Sequence, residues 1–129
     1  MLQYRIMSDM QIQEEYQEAV KEFVRRAREK YEDKIDSIIL FGSVAREEAK
    51  EDSDIDILVV VNERDIEDMK EINGIAFEVS MEFSQSISPK IYAVNEIVNR
   101  LEIGAPFINE VLKDGVPLYG EIRTGKITA

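Results

Sequence analysis

The sequence predicts an α/β (α+β) chain in which a small mixed sheet is flanked by helices. Three observations carry this. Apolar residues recur at helical spacing through the first quarter of the chain, at Ile12, Tyr16, Ala19, Val20, Phe23, Ala27 and Tyr31. Two Ile- and Val-rich runs, 35–41 and 54–61, then read as buried strands, and helical and extended patterns alternate to the end. Only residues 42–53 separate the two runs. That is close to the shortest connection a parallel crossover allows, so the sheet is expected to be mixed. With 129 residues, the chain suits one domain over 1–120 followed by a tail over 121–129.

The first helix spans about five turns, with Ser8 or Asp9 as its candidate cap. After the strand at 35–41, "VAREEA" (44–49) reads as a short helix and "KEDS" (50–53) as a turn. Residues 63–84 support two patterns. Ile66, Met69, Ile72, Ala76, Val79 and Phe83 fit a helix, whereas Phe77, Val79, Met81 and Phe83 alternate like a strand. The helical set runs further, and helix is the favoured reading. "SISPKIYAV" (86–94) is a third strand, and Pro89 places it at an edge or a bulge. A helix follows from Asn95 to Leu101. Gly104-Ala105-Pro106 interrupts it, with Pro106 opening a further helix that Gly115 caps. "IGAPFINEVL" (103–112) is expected to pack on the sheet. "VPLYG" is extended.

Charge and composition exclude several classes. Sixteen basic against 27 acidic residues give a net charge of −11, which disfavours direct nucleic-acid binding. A nucleotide stays compatible, because a divalent cation can stand between carboxylates and phosphates. There is no Cys and no His, so disulfides, thiolate metal sites and imidazole bases are absent. No apolar run reaches the ~20 residues of a membrane span, and the expected location is cytoplasmic.

The chemistry concentrates in "LFGSVAREEAKEDSDIDILVV" (40–60). Asp54 and Asp56, two apart on a strand, point to one face with Cα atoms ~6.5 Å apart. Carboxylates at that spacing can converge on magnesium. Gly42 allows close approach at a strand end. Ser43 adds a hydroxyl and backbone amides for a phosphate, and Arg46 offers a guanidinium fork. Taken singly, each feature has an ordinary reading: a solvated strand start, a turn, a helix cap and a charged helix face. "EEAKED" reads as solvated loop charge.

The combination is more specific. The G-S-x10-D-x-D pattern within "FGSVAREEAKEDSDIDILVV" resembles the nucleotidyltransferase superfamily with the polymerase-beta-like palm, in particular its minimal, single-domain branch. The resemblance is close over about 20 residues and extends through the order of elements. It implies that Gly42 and Ser43 hold the β- and γ-phosphates of a nucleoside triphosphate and that Asp54 and Asp56 hold Mg2+. An acceptor hydroxyl would then attack the α-phosphate, with AMP moved from ATP. Small members of this branch pair with HEPN-type toxins, which implies a protein hydroxyl as acceptor and a toxin–antitoxin partnership. Two positions depart from the pattern. The family often has Gly where this chain has Glu47. Active members usually carry a third carboxylate on a later strand, yet 86–94 has none, and Ser88 and Pro89 stand where an acid is expected. If 75–83 were the strand, Glu78 or Glu82 could serve, and Glu96 is a nearby acid at a helix start. The missing acid keeps a second reading open, a degenerate site on a protein-binding module. A third is a homo-oligomeric domain that retains the loop for stability.

Overall fold

The computed structural model describes residues 12–120. The elements run α1 (Glu14–Tyr31), β1 (Ile35–Phe41), α2 (Gly42–Ala45), β2 (Ile55–Val61), α3 (Ile66–Phe83), β3 (Ile87–Ala93), α4 (Val94–Glu102), α5 (Pro106–Asp114) and β4 (Val116–Tyr119). The sheet order is β3-β2-β1-β4. β1 is antiparallel to both β2 and β4, and β2 is parallel to β3. The sheet is therefore mixed, and β3 lies at an edge, as Pro89 implied.

Each central strand is apolar on both faces because both faces are covered. Ile38, Leu40, Ile55, Ile57 and Val59 pack under α1 and α3 with Val20, Phe23, Ala27, Ile72 and Val79. Ile39, Phe41, Leu58 and Val60 meet Ile97, Ile108 and Val111 of α4 and α5. Phe107 closes this second layer, with its ring edge-on to Phe41 at 5.3 Å between centroids. The segment 103–112 thus packs on the sheet through Ile108 and Val111, while Ile103 and Leu112 stay exposed.

α1 starts after Gln13 with no side-chain cap, and Glu14 and Glu15 in its first turn suit the helix dipole. The candidate caps Ser8 and Asp9, and the expected tail 121–129, lie outside the described residues. Residues 66–83 are helix, and the strand reading of 75–83 fails. Asp65 fixes the start by accepting from the Glu67 and Asp68 amides at 2.9 and 3.1 Å. Phe77 and Met81, which mimicked alternation, are exposed on the helix's outer side. Ile66 and Phe83, expected among the inward set, are exposed too. Pro106 opens α5, and Gly115 takes its cap position in extended rather than left-handed backbone. Its lack of a Cβ matters there because one would overlap the Val111 carbonyl oxygen.

Candidate active site

The carboxyl end of β1 and the amino end of β2 meet at the candidate site. Antiparallel pairing sets Phe41 opposite Asp56, so Gly42 follows immediately beside that carboxylate. Gly42 has φ +78°, and a Cβ on it would overlap Asp56 Oδ2. Glycine is thus required twice, by the backbone turn and by the acid on the next strand. The ten residues between Ser43 and Asp54 carry the chain out and back to the same strand end.

That excursion is pinned along its length. The Glu48 amide donates to the Ser43 carbonyl at 2.8 Å. The Lys50 amide donates to Ser53 Oγ at 2.8 Å, and the Tyr16 hydroxyl to the Lys50 carbonyl at 3.0 Å. Ala49 packs against the core, while residues 46–48 and 50–52 are exposed. The solvated reading of "EEAKED" therefore holds except at Ala49.

The short helix differs from its expected span of 44–49. It begins at Gly42 and ends at Ala45, because Glu47 sits at φ +59°. That left-handed conformation costs a side-chain-bearing residue roughly 1 kcal/mol, a cost that glycine does not carry. Replacing Glu47 by Gly is expected to raise the unfolding free energy by about 0.5–1 kcal/mol, measured as a higher denaturant midpoint with an unchanged slope. Ser43 is half-buried in the single turn of α2, whose first amides have no acceptor within the helix.

Asp54 lies just before β2 and is exposed, whereas Asp56 lies within the strand and is half-buried. Burial pushes the Asp56 carboxyl above its ordinary value, and the Asp54 charge pushes it further. Lys90 and Arg46 pull the other way, and Glu110 adds to the rise. Two crowded carboxylates suit a hard, oxygen-seeking ion whose shell is completed by water and phosphate. The raised value has a consequence for folding. The folded state holds the Asp56 proton more tightly than the unfolded chain, whose value is 3.8. Stability is therefore lost as pH rises from 3.8 through the folded value. In metal-free buffer, Asp56→Asn is expected to raise Tm by a few degrees at pH 7 relative to wild type. Little of that gain should remain near pH 3, and thermal melts at the two pH values check it.

Arg46 is occupied by protein carboxylates. Its guanidinium contacts Glu48 at 3.0 Å and Glu110 of α5 at 3.3 Å. Meeting a phosphate would require Arg46 to exchange these partners, and the exposure of both pairs makes that exchange inexpensive.

Register confirms the absence of an acid on β3. Asp56 pairs with Ser88, Ile57 with Pro89 and Leu58 with Lys90. Glu78 and Glu82 belong to α3 and face Arg26 of α1, at 3.9 and 2.8 Å. Glu96 Oε1 accepts from the Ala93 amide at 2.8 Å and from Arg64 at 2.9 Å, which is a structural task. Among the described residues, no group of three or more His, Cys, Asp or Glu side chains could hold a metal. The structure brings together Gly42, Ser43, Asp54 and Asp56, with Arg46 at the margin. Glu110 and Lys90 border the same site and were not signalled by the sequence.

A family model described as "Polymerase beta, Nucleotidyltransferase" matches residues 8–123. The chain belongs to this nucleotidyltransferase family. Two Methanocaldococcus jannaschii proteins, both named by inference as protein adenylyltransferases, are similar along most of their length. One is 37% identical over 77% of this chain and 94% of its own, and the other is 36% identical over 80% and 97%. A toxin–antitoxin structure solved with AMP-PNP shares the fold, with TM-score 0.53 and 18% identity over 81% of this chain and 77% of that one. A mutant of the MntA–HpeT toxin–antitoxin pair aligns with TM-score 0.51 and 17% identity over 84% and 78%. The mixed sheet described above is thus a nucleotidyltransferase fold. No described helix is long and apolar enough to cross a membrane.

Proposed function

We propose that this nucleotidyltransferase moves AMP from ATP to a hydroxyl on a partner protein, with magnesium held by Asp54 and Asp56. The observation that carries this reading is the placement of Gly42 against Asp56, which joins a candidate phosphate-binding turn to a carboxylate pair. The donor set fits magnesium, since that ion commonly takes one or two carboxylates and fills its shell with water and substrate phosphates. When bound, it would neutralise charge on the triphosphate and on the leaving pyrophosphate. Gly42 and Ser43 would cradle the β- and γ-phosphates, and Arg46 would leave Glu48 and Glu110 to take a further phosphate oxygen. The acceptor oxygen bonds to the α-phosphorus, and the bond to the pyrophosphate oxygen breaks. The hydroxyl proton passes to solvent. Positioning and charge neutralisation supply the rate, as expected of phosphoryl chemistry.

The acceptor reading draws on the adenylyltransferase relatives and on the toxin–antitoxin neighbours. A toxin modified on a hydroxyl is the partner these favour, and the resemblance of residues 40–60 to the minimal branch implies that it is of HEPN type. Incubation with ATP labelled at the α-phosphate, magnesium and the partner should place label on the partner and release unlabelled pyrophosphate. Label on the partner from γ-labelled ATP, with none from α-labelled ATP, would overturn the reading. Ser88 opposite Asp56 favours a second reading, a protein-binding module with a weak site. Tight nucleotide binding without transfer to any partner would select it.

A further inference from the structure

β3 presents a hydroxyl and an ammonium to the site. Parallel pairing puts Ser88 beside Asp56 and Lys90 one step further along the same face, beside Leu58. Strand alternation sends Ile87, Pro89, Ile91 and Ala93 towards one layer and Ser88, Lys90 and Tyr92 towards the other, which Asp56 and Leu58 share. Adjacent strands lie about 4.8 Å apart, so a lysine at this position can reach over the Asp56 carboxylate. Lys90 is exposed, and among the described residues its ammonium makes no ion pair. Arg46, the other cation bordering the site, is engaged by Glu48 and Glu110.

A third carboxylate on this strand would allow two divalent cations to sit ~3.5–4 Å apart. An ammonium on the same face opposes a second cation and supplies positive charge itself. We infer that this chain holds its triphosphate with one divalent cation at Asp54 and Asp56, and that the Lys90 ammonium binds a phosphate oxygen in place of a second cation. The inference rests on the nucleotidyltransfer reading above. It gives the absence of an acid at Ser88 a chemical consequence: the site exchanges one metal for one fixed charge. Lysine suits the task as a compact point charge on a flexible stem. The competing role for Lys90 is protective, since an edge strand benefits from a charge that discourages pairing with other chains.

The test uses the full chain with Mn2+ and α,β-methylene-ATP, which binds without transfer. Bound Mn2+ is counted by electron paramagnetic resonance, and nucleotide affinity is read by calorimetry. Wild type is expected to take one Mn2+ per chain with the nucleotide. Lys90→Met is expected to weaken nucleotide binding about 10- to 100-fold with unchanged Tm, and Lys90→Arg to restore most of the loss. Two Mn2+ ions per wild-type chain would overturn the inference. So would wild-type affinity in Lys90→Met, which would leave Lys90 as an edge charge only. Failure of wild type to bind nucleotide with Mn2+ would instead remove the nucleotidyltransfer reading, and this inference with it.

Discussion

Gly42→Ala is expected to abolish function in a protein that still folds. The added methyl would overlap Asp56 Oδ2, and the φ of +78° already disfavours a side chain by about 1–2 kcal/mol. The neighbour that must yield is the carboxylate proposed to hold the metal, because the backbone on either side is fixed by β1–β2 pairing. Nucleotidyl transfer should fall by at least about 100-fold, and unfolding free energy by about 1–3 kcal/mol. Label transfer and a denaturant melt measure the two effects. Transfer at the wild-type rate would show that the contact between Gly42 and Asp56 has no bearing on the site.

Loss of either aspartate gives the other large effect. Asp56→Ala is expected to lower transfer by about 10^2–10^3-fold or more, with Asp54→Ala somewhat milder. The ranking follows from position. Asp56 is half-buried and fixed within β2 against Gly42, whereas Asp54 lies outside the strand in solvent. Neither change should lower Tm in metal-free buffer, since each relieves repulsion between the pair. A fall in activity with unchanged or raised Tm separates a binding role from a structural one. A parallel fall in both would contradict it.

Much of this arrangement is legible in the sequence itself. The two apolar runs and their short spacing implied a mixed sheet, and β1 and β2 are antiparallel. Pro89 marked an edge strand, and β3 is one. The concern over Glu47 had a geometric basis, since its backbone occupies a conformation that glycine adopts freely. Other features depended on tertiary packing. Phe77 and Met81 alternate with Val79 as a strand would, yet Asp65 caps a helix that leaves both side chains outward. The extent of α2 could not be read from "VAREEA", because helix propensity there yields to the turn at Glu47. Glu110 reaches Arg46 from 64 residues away, and no local pattern announces such a pair. Lys90 carries no local signal for a related reason, since the value of a cation on β3 depends on inter-strand register.

The central claim is that two strand ends make one site for a metal and a triphosphate. Calorimetric titration of α,β-methylene-ATP, with and without Mg2+, into wild type, Asp56→Ala and Gly42→Ala tests it most directly. The expected result is binding that needs Mg2+ in wild type and is lost in both variants. Binding of equal strength in all three proteins, indifferent to Mg2+, would contradict the account.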